Sequence, residues 1–269
     1  MNSFEKEYYE SPIFWENGML EDDNNRERII TTANLIPKDV KTLADIGCGN
    51  GVFLNYLKAN KPELHLTGID RSEAALKFVQ TDKQLGDISS LPFEDNYFDC
   101  VTCLEVIEHV PVPVYETALK ELSRISKKYV IISVPFQEKI EDSYTKCPQC
   151  LTIFNYELHL RRYEKNTMEN LLLNNKYKCI NSQTLGDSSN YYGHNLFRKI
   201  FYPEQIMKWY SPICPVCGYH EAEENITITP IVTNPKRSII SRLTSIPKLF
   251  WPKTHRHYWI LSLYEKKSI

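Results

Sequence analysis

The chain has 269 residues, 42% of them hydrophobic, and a net charge of −2. That length and apolar content suit one large domain, or one domain carrying insertions, and exclude a disordered chain. The near-neutral balance favours no strongly anionic partner; the opening "MNSFEKEYYE" has acids and no apolar run, so no signal peptide or membrane span is expected, and the expected compartment is the cytoplasm.

The first stretch, "YYESPIFWENGMLEDDNNRERI", mixes Tyr8, Tyr9, Phe14 and Trp15 with a hydrophilic helix. "TLADIG" (Thr42 to Gly47) is an apolar run ending in glycine, and in the following "NGVFLNYLKAN" Val52, Phe53, Tyr56 and Leu57 recur at helical spacing. "LHLTGID" reads as the next strand and "RSEAALKFVQ" as the next helix, capped by Ser72 or Asp70. "FDCVTCLEV" alternates as a further strand, "PVYETALKELSRIS" is a helix with proline in its first turn, and "YVIISV" is a fully buried strand. This βαβαβ order implies an α/β fold, with a parallel sheet and helices on both faces. After Val134 the alternation breaks into a polar segment, Pro135 to Arg162, before the helical "NTMENLLLNN" and the strand "YKCINSQTL". A second irregular stretch, Gly186 to His255, precedes "HYWILSLYEK", which alternates as an antiparallel edge strand should.

"DIGCGNG" places glycines at 47, 49 and 51, one residue short of the dinucleotide fingerprint, so a nicotinamide or flavin reading does not fit. The physics is shared: glycine at the end of the first strand lets the backbone approach a ligand, and a helix N-terminus follows. The bland alternative is a plain strand-to-helix turn. Asp70 ends the second strand, where a carboxylate can accept both ribose hydroxyls, and Asp87 in "GDISSLPF" ends a short third strand, where it can accept from an adenine amino group. Each alone reads as a cap or turn residue; together, at strand ends on one edge of the sheet, they describe a nucleoside pocket.

"LADIGCGNG", "GID", "GDISSLPFEDNYFD" and "CLEVIEHV" follow one another as the motifs of the class I S-adenosylmethionine-dependent methyltransferases, which this chain resembles from Thr42 to Val134. The resemblance implies a Rossmann-like, doubly wound, mostly parallel seven-stranded sheet with an antiparallel last strand. It implies that Gly47, Gly49 and Gly51 face the amino-acid part of the cofactor, with Asp45 near its amino group. Asp70 would bind the ribose, Asp87 with Ile88 would frame the adenine, and Leu104 with Glu105 would close over the cofactor. It also implies that residues 1–40 form a helical lid on a methyltransferase domain of residues 41–269; a packed terminal helix is the simpler alternative. A sulfonium is already an activated methyl donor, so such a protein mainly aligns the acceptor and excludes water. A general base is needed only for an acceptor that keeps its proton, as a hydroxyl does.

On the acceptor side, "EVIEHV" sets Glu105, Glu108 and His109 beyond the fourth strand, with Glu108 and His109 as candidate catalytic residues. In ubiquinone-pathway O-methyltransferases, which this string resembles, the equivalent triad can hold a divalent cation, and two carboxylates with an imidazole suit magnesium or zinc. In the bland reading Glu105 contacts the cofactor while Glu108 and His109 are turn residues. "ELHLRRYEKN" brings together His159, Arg161 and Arg162, either an anion clamp or a solvated segment. "NYYGHNLFR" offers Tyr191, Tyr192 and His194, a pocket wall or ordinary loop packing. Residues 239–253, in "RSIISRLTSIPKLFWPK", combine apolar and basic side chains that can rest on an anionic membrane surface, or pack as a core helix and turn. Nucleic acid is disfavoured by the acidic remainder of the chain.

"CPQC" and "CPVC" repeat a C-P-x-C spacing in two insertions, 135–162 and 187–256. Neither pair opens a helix after a strand, as a redox pair would. Two such knuckles have the spacing of a structural zinc site at Cys147, Cys150, Cys214 and Cys217, and would join the insertions into a zinc-ribbon-like cap. Gly218 suits the turn after the second knuckle, whereas Leu151 stands after the first. Cys48, Cys100, Cys103 and Cys179 read as buried thiols.

The expected function is S-adenosylmethionine-dependent methyl transfer to a small or medium hydroxylated acceptor: a sugar, a glycan end or a secondary metabolite. Zinc-bearing insertions of this kind resemble those of bacterial methyltransferases in cell-surface and natural-product pathways. The rivals are an RNA or protein methyltransferase that reads its substrate through the cap, and a non-catalytic S-adenosylmethionine-binding module.

Overall fold

The computed structural model describes residues 9–10, 15, 23–155, 157–191, 214, 216–217, 219 and 253–267. Helix α1 (Asp23–Leu35) leads into β1 (Thr42–Ile46), α2 (Val52–Asn60), β2 (His65–Asp70), α3 (Glu73–Leu76), β3 (Asp82–Leu85) and β4 (Phe98–Leu104). Then follow α4 (Val112–Ile125), β5 (Ser126–Pro135), β6 (Tyr144–Lys146), β7 (Ile153–Asn155), α5 (Lys165–Asn170), β8 (Tyr177–Tyr191) and β9 (Lys253–Lys266). Seven strands form one sheet in the order β3-β2-β1-β4-β5-β9-β8. The pairs from β3 to β5 are parallel, and β9 runs antiparallel to both of its neighbours.

Alternation along β1 distributes the core to both faces. Leu43 joins Ile29 and Ala33 of α1 and Phe53, Leu54 and Leu57 of α2, while Ala44 and Ile46 join Leu119, Leu122 and Ile125 of α4 with Met168 at α5. β5 is buried on both faces from Tyr129 to Pro135, as its unbroken apolar run predicts. Truncating a leucine such as Leu122 in this packing costs about 2–5 kcal/mol.

Three elements depart from their sequence patterns. The helix of "RSEAALKFVQ" stops at Leu76, because side chains capture the backbone beyond it. Lys83 donates to the Leu76 and Val79 carbonyls, and Asn55 both donates to Phe78 O and accepts from Gln80 N. The terminal strand is not the edge: β9 is covered by β8, which pairs with it from Tyr177↔Lys266 to Tyr191↔Lys253. Ile260, Leu261 and Ser262 are accordingly buried in succession. The polar stretch after Val134 contains a two-stranded ribbon, β6 with β7, whose turn carries Cys147 and Cys150. Among the described residues no helix is long and apolar enough to cross a membrane.

Candidate functional site

At the C-terminal edge of the sheet the chain leaves β1 through Gly47 (φ 74°) and Gly49 (φ 53°). A Cβ on Gly47 would meet Val106 Cγ2 at 2.5 Å, and one on Gly49 would meet the Trp15 ring at 2.7 Å. Side chains are thus excluded here by backbone conformation and by space, leaving a cradle of bare peptide. Gly51 is the N-cap of α2. Asp70 ties this turn to β2: its Oδ2 accepts from Gly49 N (2.8 Å) and its Oδ1 from Ser72 N (2.9 Å). Ser72, and not Asp70, caps α3.

A cavity of about 410 Å³ opens over this turn. Of the sequence-derived cofactor residues, Asp45, Gly47, Gly49, Asp70, Asp87, Ile88, Leu104 and Glu105 all line it, and only Gly51 lies beneath the surface. Asp45 accepts a 2.6 Å hydrogen bond from Thr102 Oγ1, yet burial pushes its carboxyl up to about 7. Burial likewise raises Asp70, against the two backbone donors. Asp87 turns one oxygen to Ser89 N and Oγ (2.8 and 2.6 Å). Glu105 (φ 59°) is raised by burial, and its carboxylate takes hydrogen bonds from Ser133 Oγ (2.8 Å) and Trp259 Nε1 (2.6 Å).

The N-terminal residues reach the cavity rim. Trp15 lines it, donating from Nε1 to Tyr9 O (2.7 Å) and accepting from Asn50 Nδ2 at its carbonyl (3.0 Å). Ser72 Oγ also donates to Tyr9 O, and Glu10 accepts from the first amides of α3. Arg28 of α1 is a lining residue that no sequence motif marked. It is buried, its Nε has no hydrogen-bond partner, and its guanidinium lies 5.2 Å from the Trp259 ring centroid. Its charge lowers Asp45, Glu105 and Glu108 together. A cation beside three carboxyls, on an amphiphilic helix with no glycine or cysteine signature, is visible only in three dimensions.

The two catalytic candidates separate. His109 lines the cavity, whereas Glu108 is fully buried behind it. Burial, then the neighbouring His159, lowers His109 to about 3, so its imidazole is neutral; burial raises Glu108 well above the carboxylate range. Glu105 directs its oxygens to Ser133 and Trp259, and the third residue beside Glu108 and His109 is His159. The anion-clamp reading of the adjacent arginines does not hold. Arg161 donates to the Ile107 and Val110 carbonyls (2.6 Å each) and stacks on Tyr115 at 3.8 Å, while exposed Arg162 pairs with Glu164. Tyr191 ends β8; Tyr192, His194 and residues 239–252 lie outside the described residues.

The four cysteines of the two knuckles converge. Cys147 and Cys217 sulfurs lie 3.6 Å apart, as do those of Cys150 and Cys214. A tetrahedral ion with Zn–S of about 2.3 Å sets its sulfurs about 3.8 Å apart, close to the spacing of these two pairs, and all four sulfurs lie within 4.8 Å of one another. Hydrogen bonding with Thr152 draws Cys150 down to about 6, whereas for Cys217 a Tyr219 backbone bond that lowers it is outweighed by burial and the three other thiols, which push it up to about 12. Leu151 takes the left-handed position (φ 62°) that a glycine would fill more easily, and Gly218 lies outside the described residues. Of the other thiols, Cys48, Cys100 and Cys103 are buried, but Cys179 is only half-buried, at a register shift on edge strand β8.

Residues 44–133 match a family model described as a methyltransferase domain. A ubiquinone biosynthesis O-methyltransferase of Nitrosomonas europaea is 37% identical over 83 residues, 27% of this chain and 34% of the relative. A tRNA U34 carboxymethyltransferase of Nautilia profundicola is 37% identical over 99 residues, 33% of this chain and 31% of the relative. The matched stretch spans about a third to a half of the length of the curated relatives, 34% to 52% in the first three. In three dimensions the chain resembles magnesium protoporphyrin IX methyltransferase from Synechocystis, solved with bound S-adenosylhomocysteine, at a TM-score of 0.53 and 15% identity, covering 68% of this chain and 93% of that one.

Proposed function

We propose that this chain, which carries a class I methyltransferase domain on a Rossmann-like sheet, transfers a methyl group from S-adenosylmethionine to an oxygen of a small or medium hydroxylated acceptor. The observation that carries the reading is the convergence of Asp45, the Gly47–Gly49 cradle, Asp70 and Asp87 on one cavity. Each group there suits one part of the cofactor. Asp45 would take the ammonium and buried Arg28 the carboxylate, a charge-assisted pairing for each end of the amino acid. Asp70 would hold the ribose hydroxyls, and Asp87 with Ile88 the adenine. The glycine turn admits the cofactor backbone where any Cβ would block it.

The bound sulfonium supplies an electrophilic methyl, so this chain's own groups are left to align the acceptor and keep water out. Trp15 and Tyr9 close one wall, and Val106, Val110, Pro111 and Val114 make the acceptor side largely apolar. The polar groups on this side are His109, as a neutral imidazole, and Glu157. Structural zinc at Cys147, Cys150, Cys214 and Cys217 would fasten the two insertions to each other, supported by the sulfur spacing.

The test is transfer of a radiolabelled methyl group to panels of sugars, phenols, bulk tRNA and denatured protein. Label in hydroxylated small molecules is the expected result. Label in tRNA or protein alone would transfer the case to the macromolecular reading, and failure to bind the cofactor would remove the enzyme reading altogether.

A further inference from the structure

The first insertion grips the turn between β4 and α4 by its backbone. Arg161 Nη1 donates to the Ile107 and Val110 carbonyls, 2.6 Å each, and its guanidinium lies 3.8 Å from the Tyr115 ring centroid on α4. Leu160 N donates to the Glu108 carbonyl at 2.9 Å. Three carbonyls of one short turn are thus held by two neighbouring residues of the insertion. No carboxylate of the described residues pairs with Arg161, so its charge is directed at the two carbonyls. The turn's own bonds are weaker: His109 N to Val106 O is 3.0 Å, and Val110 N to Ile107 O is 3.4 Å. Hydrogen bonds from a charged donor are about twice as strong as neutral ones, so Arg161 supplies the fixation that the turn lacks by itself.

What this turn carries is the acceptor half of the cavity. His109, Val110, Pro111 and Val114 line it from the turn and the start of α4, and Leu158 lines it from the insertion, whereas Arg161 does not. The insertion is itself fastened here. Buried Asn155, at the end of β7, donates to the Ile140 carbonyl (3.1 Å) and accepts from Glu157 N (2.8 Å), and its own carbonyl accepts from Leu158 N (3.0 Å). The His109 ring packs edge-on against His159, with centroids 4.8 Å apart. The glycine turn is held by other means, through Asp70, and no hydrogen bond joins Gly47, Gly49 or Asp70 to residues 157–163. Arg161 also lies outside residues 44–133, the stretch that matches the methyltransferase model.

We infer that Arg161 is the positioning residue of the acceptor half: it sets the turn from Ile107 to Val110, and through it the His109 ring and the wall of Val110, Pro111 and Val114, without touching the acceptor. Its consequence for turnover rests on the methyl-transfer reading; the placement of the turn does not. Methyl transfer needs the acceptor oxygen in line with the methyl and the sulfur, and a misplacement of about 1 Å in such a site costs about 100-fold in rate. Without the guanidinium the Ile107 and Val110 carbonyls turn to water and the wall relaxes, while the glycine turn and Asp70 keep their bonds. Arg161 therefore acts on the acceptor and not on the cofactor.

The test compares wild type with Arg161→Ala on the full chain. Calorimetric S-adenosylmethionine affinity should agree within about twofold, which also shows that the variant is folded. For whichever sugar or phenol takes label in the panel above, kcat/KM should fall about 100-fold. In protein carrying isotopically labelled histidine, the His109 ring resonance, assigned by its loss in His109→Ala, should shift in Arg161→Ala. Millimolar guanidinium, against sodium chloride at equal ionic strength, should return the resonance and the turnover together. If Arg161→Ala does not fold, Tyr115→Leu, which removes the ring beneath the guanidinium and keeps both carbonyl bonds, should move the same two readouts in the same direction by a smaller factor. An unmoved resonance, equal losses of cofactor affinity and turnover, or turnover recovered with the resonance still displaced would overturn the inference. A wild-type protein that labels no acceptor, with the resonance still shifted in Arg161→Ala, would refute the transfer reading and support the clamp.

Discussion

Asp45 offers a quantitative handle on cofactor recognition. Its carboxyl is 3% exposed, and burial raises it from 3.8 to about 7 against the opposing Thr102 hydrogen bond and Arg28 charge. At about 1.4 kcal/mol per tenfold change in acidity, this is about 4 kcal/mol. The folded value lies above the unfolded one, so this contribution to stability is complete below pH 3.8 and is lost as the pH climbs through about 7. An ammonium group bound at Asp45 reverses the preference, since it selects the ionised carboxylate. At pH 6 only about one chain in ten has Asp45 ionised, so calorimetry should show S-adenosylmethionine binding about tenfold more weakly at pH 6 than near pH 8. Above about pH 8 the ligand's own amino group deprotonates and affinity falls again. Methylthioadenosine, which lacks the amino acid, should bind with no pH dependence in this range. Asp45→Asn should flatten the profile, weaken cofactor binding and raise the urea midpoint at pH 8, because it removes a buried charge. A wild-type affinity that is flat with pH, or unchanged in Asp45→Asn, would refute the reasoning.

Arg28→Met should weaken S-adenosylmethionine binding by about 10- to 100-fold, the scale of a hydrogen bond to a charged group, and leave methylthioadenosine affinity intact; equal losses for both ligands would mean a structural role. Gly47→Ala forces a Cβ to 2.5 Å from Val106 in a left-handed backbone, and should cost about 2–4 kcal/mol in chemical denaturation; an unchanged midpoint would contradict the packing described. Cys214→Ser should lose about one zinc per chain and several kcal/mol of stability, whereas full zinc retention would rule out the four-thiolate site.

Much of the cavity's glycine-turn edge was legible in the sequence because it depends on local geometry. Gly47 and Gly49 sit where only glycine fits, and Asp45 and Asp70 follow from strand ends, so strand–turn–helix reading located the cavity. What escaped depends on contacts far apart in the chain. The helix after Asp70 looks long by propensity, yet Asn55 and Lys83 hold its second half in another conformation. Strand β9 reads as an edge from its alternation, because the partner that covers it is set by pairing across the sheet. Arg28 carries no motif, and its role appears only when α1 is packed beside the sheet. Glu108 and His159 are 51 residues apart in the chain, and the bond from Leu160 N to the Glu108 carbonyl is what joins their segments.

The central claim, that this cavity holds S-adenosylmethionine, is tested most directly by calorimetric titration of the full chain near pH 7.5, with Asp70→Ala in parallel. The account predicts one site per chain for S-adenosylmethionine, competition by S-adenosylhomocysteine, and at least a tenfold loss of affinity in Asp70→Ala. No heat of binding from either ligand to folded wild-type protein, or equal affinity in Asp70→Ala, would contradict it.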